Sequence, residues 1–134
     1  MHTETVEIVT TKEKFFLEYL TLKKPIIDAV LSRINGKKTR LSDVPLRVLA
    51  QLLFYNDLYR DQYTEDKKWD IVFSKDVRII IRKKLDLKEH HLNNYITYLR
   101  SIKVLDGKKI NKNFIVYANE DRELSFKFKL NGHQ

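Results

Sequence analysis

The chain has 134 residues, of which 43% are hydrophobic and 33% charged, with a net charge of +8, three glycines, two prolines and no cysteine. This balance suits one folded domain with an ordinary core and excludes disulfides, thiolate metal sites and an extended linker. No apolar run approaches the roughly 18 residues of a membrane-spanning helix, and residues 1–5 lack the features of a secretory signal, so no membrane partner is expected.

The N-terminal part of the chain changes from an alternating to a helical pattern. Alternation over residues 5–9 predicts a short strand. Apolar residues at helical spacing then predict two helices within residues 12–34, with Pro25 in the first turn of the second. The apolar stripes of these helices could serve the core of a monomer or the interface of a homodimer, and the sequence leaves both open.

A core helix is predicted over residues 43–60. Ser42 offers a capping hydroxyl at its start, and a broad apolar stripe follows. The polar residues 60–69 predict a connecting loop, after which Trp69 is expected to re-enter the core.

Residues 74–105 carry the pattern of two helices joined by a tight turn. Ser74 and Asp76 suit the start of the first helix, and Leu87 closes the turn. The inward row of the second helix is Leu92, Ile96 and Leu99. This segment, about 40 of the 134 residues, resembles the helix-turn-helix of winged-helix DNA-binding proteins.

The resemblance implies a single domain over residues 1–134, mainly α with a small antiparallel β wing, of the winged helix-turn-helix class. Three residues depart from the family pattern. Asp86 replaces the usual glycine of the turn but tolerates a left-handed backbone. Lys88 replaces the usual capping residue. Glu89 places an acid where DNA would pass.

The wing is predicted over residues 105–130. Asp106-Gly107 is a strong turn dipeptide, and the alternation over residues 124–130 predicts a half-buried strand that pairs with residues 105–110. The apolar residues 114–117 are expected to cover the core.

The positive charge is concentrated on the helix-turn-helix and the start of the wing. Residues 75–112 contain 11 Lys and Arg against 4 Asp and Glu, which is typical of phosphate binding and also of a solvated lysine-rich surface. Asn can bridge adenine and Arg can bridge guanine in the major groove. The candidate base contacts are His90, Asn93, Asn94, Thr97 and Arg100. The candidate phosphate contacts are Arg78, Arg82, Lys83, Lys84, Lys88, Lys108, Lys109 and Lys112.

No motif of an enzyme is found in the sequence. It contains no glycine-rich phosphate loop, no nucleophile elbow and no carboxylate cluster with metal-ligand spacing. His90 and His91 are adjacent, so on a helix they point about 100° apart and cannot grip one metal. We therefore expect no catalytic residue, no metal and no cofactor.

The favoured function is binding of double-stranded DNA, as a transcriptional regulator or a replication accessory in the cytoplasm of a bacterium or of a phage-infected cell. The alternative is a phage virion, assembly or adaptor protein that uses the same scaffold for protein–protein contacts. It rests on the Lys-, Asn-, Ile- and Tyr-rich composition, which resembles that of phage-encoded proteins. Residues 60–69 and 114–117 would then be contact surfaces, and viral structural proteins the partners.

Overall fold

Five α-helices and one short 3₁₀ helix form the part of the chain that the structure describes. The computed structural model describes the backbone of residues 2–118 and the side chains of residues 12–118. In chain order the helices are α1 (His2–Asn35), α2 (Asp43–Tyr59), α3 (Glu65–Val72), α4 (Lys75–Leu85) and α5 (Glu89–Ser101), followed by the 3₁₀ helix Lys112–Phe114. Of these helices, none is long and apolar enough to cross a membrane.

Helix α1 is continuous over 34 residues, with Pro25 in its interior. The predicted strand at residues 5–9 and the predicted division into two helices are therefore wrong. Proline removes one backbone hydrogen bond, but the helix continues because one buried face runs along both sides of it. That face includes Phe16, Leu20, Ile27 and Leu31, none more than 2% exposed.

Helix α2 lies at the centre of the molecule and packs against α1, α3, α4 and α5. The predicted core helix is confirmed, with Val48, Leu49 and Leu53 fully buried. Ser42 occupies the N-cap position, but its side chain makes no capping hydrogen bond. Packing of the apolar face, rather than capping, therefore fixes this helix in place.

The polar segment predicted as a loop at residues 60–69 contains the start of α3, so that prediction is wrong. The carboxylate of Glu65 accepts hydrogen bonds from Lys68 Nζ at 3.0 Å and from Trp69 Nε1 at 2.8 Å. These hydrogen bonds hold the pKa of Glu65 below its ordinary value, and the bond from Lys68 has the largest effect. Trp69 is 2% exposed, as predicted, and its burial anchors the helix to the core.

Helices α4 and α5 and the turn between them lie where the sequence predicts them. The hydroxyl of Ser74 accepts a hydrogen bond from the Val77 amide at 3.3 Å and caps α4. Asp86 adopts the left-handed conformation, with φ 55° and ψ 53°, and Lys88 provides no side-chain cap for α5. The predicted inward row of α5, Leu92, Ile96 and Leu99, is buried.

The predicted β wing is wrong. Within residues 2–118 there is no β-strand, and the described fold is all-helical rather than mainly α with an antiparallel wing. Residues 106–109 form a tight turn that is closed by a single antiparallel bridge between Leu105 and Ile110. The strand predicted over residues 124–130 lies outside the described residues.

The chain beyond the turn is held by packing as well as by hydrogen bonds from Asn111 to the carbonyls of Val104 and Lys103. Ile110, Phe114 and Val116 are each at most 2% exposed, so their side chains belong to the helical core. The prediction that residues 114–117 cover the core is confirmed for Phe114 and Val116. Those two side chains are thus not open to a partner.

Candidate nucleic-acid interface

The outer face of α5 presents three of the predicted base-contacting residues to solvent. His90, Asn94 and Thr97 are exposed, on the side opposite the buried row that contains Leu92 and Ile96. They span two helical turns, about 10 Å along the axis. An imidazole, an amide and a hydroxyl supply the donors and acceptors that can pair with base edges.

The two other predicted base contacts bind within the chain. Arg78 Nη1 donates a hydrogen bond of 3.1 Å to Asn93 Oδ1, which ties α4 to α5. Arg100 Nε donates one of 3.1 Å to the carbonyl of Gly107, which ties the end of α5 to the turn at residues 106–109. Asn93 and Arg100 therefore hold the surroundings of the outer face in position.

One side of α5 is bordered by cations of α4. Lys75, Arg78 and Arg82 share one edge of α4, because residues three and seven apart fall on one side of a helix. We call this row the α4 edge. Its Lys75 is exposed and was not among the residues singled out from the sequence. Arg82 Nη1 lies 4.0 Å from Glu89 Oε1, so a guanidinium offsets the acid that would face DNA.

Five of the six remaining predicted phosphate contacts lie in three places. Lys83 and Lys88 are exposed at the end of α4 and the start of α5, respectively. Lys108 and Lys109 are exposed in the turn that Arg100 holds. Lys112 is exposed at the start of the 3₁₀ helix.

Lys84 points away from α5, toward α1 and α2. Its Nζ donates hydrogen bonds to the carboxylate of Glu13 and, at 3.1 Å, to the hydroxyl of Tyr55. It also lies 5.3 Å from the centres of the Phe54 and Tyr55 rings. Burial by itself lowers the pKa of Lys84, but the hydrogen bonds to Glu13 and Tyr55 outweigh it and raise the pKa above its ordinary value. The structure thus gives Lys84 a role in packing.

The opposite side of α5 is bordered by a basic loop, residues 37–40, whose cations are not among the DNA contacts predicted from the sequence. The hydroxyl of Tyr98 donates a hydrogen bond of 2.8 Å to the carbonyl of Arg40, and Asn35 Nδ2 donates one of 3.0 Å to the carbonyl of Ile102. A cleft opens between this loop and the C-terminal half of α5. Its lining includes Lys37, Lys38, Arg40, Tyr98 and Ser101.

Lys37, Lys38 and Arg40 are the free cations of this border, and we call them the loop edge. All three are exposed, and no acid among the described residues forms an ion pair with them. The loop itself is fixed, because the Thr39 amide donates to Ser32 Oγ at 2.9 Å and the Leu41 amide to an oxygen of Asp28 at 2.8 Å.

No family model, curated protein or solved structure matches this chain. The interface is therefore defined by its own geometry: a polar helix face with cations on both sides. Among the side chains of residues 12–118, no group of three or more His, Cys, Asp and Glu is arranged to hold a metal ion. The chemistry that the face offers is hydrogen bonding along its centre and attraction of anions at its borders.

Proposed function

We propose that this protein binds double-stranded DNA, with the outer face of α5 in the major groove and the two edges against the flanking phosphates. The observation that carries the proposal is the position of that polar face between the α4 edge and the loop edge. A helix with its side chains is about 10–12 Å wide, which matches the width of the major groove, about 12 Å. Phosphates border the groove on both sides, as cations border α5.

Different residues provide the affinity for DNA and the recognition of its sequence. The cations of the two edges, with Lys83, Lys88 and the turn lysines Lys108 and Lys109, supply attraction that does not depend on sequence. His90, Asn94 and Thr97 supply the contacts to base edges, with Asn94 suited to adenine. The role in the cell is that of a transcriptional regulator or a replication accessory.

The first test measures the affinity of the full chain for a fluorescent duplex at several salt concentrations. The logarithm of the binding constant falls with the logarithm of salt concentration, by about 0.9 for each phosphate neutralised. The double variant Lys38→Ala/Arg40→Ala is expected to reduce the magnitude of that slope by about 1.8, because two phosphate contacts are lost. Lys14→Ala, which removes an exposed cation of α1, is the matched control and leaves the slope unchanged.

A second measurement separates recognition from attraction. In selection from random duplexes, Asn94→Ala is expected to weaken the preference for particular bases while the salt slope stays as in the wild type. The absence of any complex with duplex DNA at low salt would contradict the proposal. Stable high-order assembly without DNA would instead support the role of a virion, assembly or adaptor protein.

A further inference from the structure

The cleft beside the loop edge is large enough for a small molecule. Its volume is about 1120 Å³, and its walls come from α1, from the segment between α1 and α2, and from the C-terminal half of α5. Sites for small molecules commonly measure about 300–1,000 Å³. A molecule the size of a nucleotide therefore has room in this cleft.

Positive charge exceeds negative charge in the cleft. Its described lining contains a single acid and the four cations Lys24, Lys37, Lys38 and Arg40. The acid is Asp43, and its carboxylate pairs with Arg47 at 3.3 Å. Lys24 is neutralised by Asp28, whose carboxylate lies 2.6 Å from Lys24 Nζ. The charge that remains for a ligand is that of the loop edge.

The binding groups of the cleft are held in place by the chain itself. The Thr39 amide donates a hydrogen bond of 2.9 Å to Ser32 Oγ, and the Arg40 carbonyl accepts one of 2.8 Å from Tyr98. A site whose backbone is already fixed loses less conformational entropy when a ligand binds. Ser42 adds a hydroxyl to the lining, and this hydroxyl makes no capping hydrogen bond with α2.

Three cations and a hydroxyl suit a chain of phosphate groups. Ammonium and guanidinium groups form charge-assisted hydrogen bonds with phosphate oxygens. A carboxylate carries one negative charge and a monophosphate ester about two at neutral pH, fewer than the three positive charges of the loop edge. A chain of phosphates carries more charge and reaches several cations at once. The lining therefore favours a polyphosphate.

We infer that the cleft binds the polyphosphate group of a small molecule, such as a nucleoside triphosphate, through the loop edge and Ser42. Bound polyphosphate neutralises the loop edge and so weakens the hold on duplex DNA. The ligand site itself does not depend on DNA, whereas the displacement of DNA rests on the proposed function. Such a ligand is then a negative effector of DNA binding.

The first test is calorimetric titration of the full chain without DNA, in magnesium-free buffer, with ATP, inorganic tripolyphosphate and AMP. ATP and tripolyphosphate are expected to bind with dissociation constants within about threefold of each other, and about tenfold or more tightly than AMP. Absence of binding by both polyphosphates overturns the site. Tight binding of ATP alone would mean that the nucleoside is recognised, and it would overturn the assignment of a polyphosphate site.

A pair of matched variants tests the location. Ser42→Asp places a carboxylate in the cleft and keeps a residue that caps helices well. It is expected to weaken binding of tripolyphosphate by about tenfold or more, because like charges meet. Thr64→Asp is the control, because Thr64 is the N-cap of α3, also makes no side-chain cap bond and lies outside the cleft. Equal losses would show diffuse attraction of anions to a basic chain and would overturn the site.

Displacement of DNA is tested with a fluorescent duplex. Tripolyphosphate is expected to weaken duplex binding by about fivefold more than sodium chloride at the same ionic strength. This difference should disappear in the double variant Lys38→Ala/Arg40→Ala. A duplex that stays bound at saturating tripolyphosphate overturns the shared use of the loop edge. A chain that binds tripolyphosphate but no duplex contradicts the proposed function alone, and one that binds duplex but no polyphosphate contradicts the cleft site alone.

Discussion

The hydroxyl of Tyr98 on α5 donates a hydrogen bond of 2.8 Å to the backbone carbonyl of Arg40, a residue 58 positions earlier in the chain. This bond joins the basic loop that follows α1 to the helix that presents the candidate base contacts. The loop edge and the outer face of α5 therefore form one surface, although they belong to distant segments. The surface that we propose for DNA is in this sense a product of the tertiary structure.

Tyr98→Phe is expected to loosen the loop edge and to reduce the affinity for duplex DNA about three- to tenfold. The change removes one hydrogen bond, which contributes about 1 kcal/mol, and leaves the ring in place. Fluorescence anisotropy at constant salt measures the effect. Tyr95→Phe is the control, because it removes a hydroxyl from the same helix without touching the loop. Equal losses in the two variants would mean that the bond to Arg40 does not organise the interface.

Ser74→Ala is expected to lower the free energy of unfolding by about 1 kcal/mol, because the Ser74 hydroxyl caps α4 through the Val77 amide. Chemical denaturation measures this change. Ser42→Ala is the matched comparison, since Ser42 is the N-cap of α2 but its side chain makes no capping bond. We expect it to cost less than half as much, and a larger loss at Ser42 than at Ser74 would refute the assignment of the cap.

Asp86→Gly is expected to raise the free energy of unfolding by about 0.5–1 kcal/mol. Asp86 is held in the left-handed conformation, at φ 55°, where glycine is at no steric disadvantage. Asp86→Ala is expected to lower the free energy of unfolding by about 1 kcal/mol, because alanine lacks a side chain that supports this backbone. Thermal melts of the two variants should therefore move in opposite directions. Stabilisation by alanine would contradict the left-handed turn.

The stability of the fold is expected to fall at alkaline pH because of Tyr19. Burial raises the pKa of Tyr19 from 10.0 to about 12, so the folded state holds its proton more tightly than the unfolded state does. The stability that this provides is complete below pH 10 and is lost as the pH rises toward 12. Between pH 9 and pH 11.5, urea denaturation should show a greater loss for the wild type than for Tyr19→Phe, by up to about 2 kcal/mol. Equal losses would show that Tyr19 is not the group responsible.

The sequence by itself determined the elements that depend on neighbours within a few positions. The start of α4 follows from the Ser74 cap, and the turn into α5 follows from the tolerance of Asp86 for a left-handed backbone. The inward row of α5 follows from the spacing of Leu92, Ile96 and Leu99. These are local interactions, and a pattern of residues contains them in full. For the same reason three outward residues of α5, His90, Asn94 and Thr97, could be named in advance.

The tertiary structure decided the rest. Helix α1 continues through Pro25, although proline favours a break, because buried residues on both sides of it pack against α2. Residues 110–116 do not enter a wing in the described fold because their apolar side chains fill the helical core. Likewise, contacts between distant segments place two sets of cations. The ammonium of Lys84 binds the hydroxyl of Tyr55, and the loop edge lies beside α5 because Tyr98 binds the carbonyl of Arg40. The periodicity of a sequence shows which face of a helix is apolar, but it does not show which other helix or loop that face packs against. That packing decides which cations lie on the same surface.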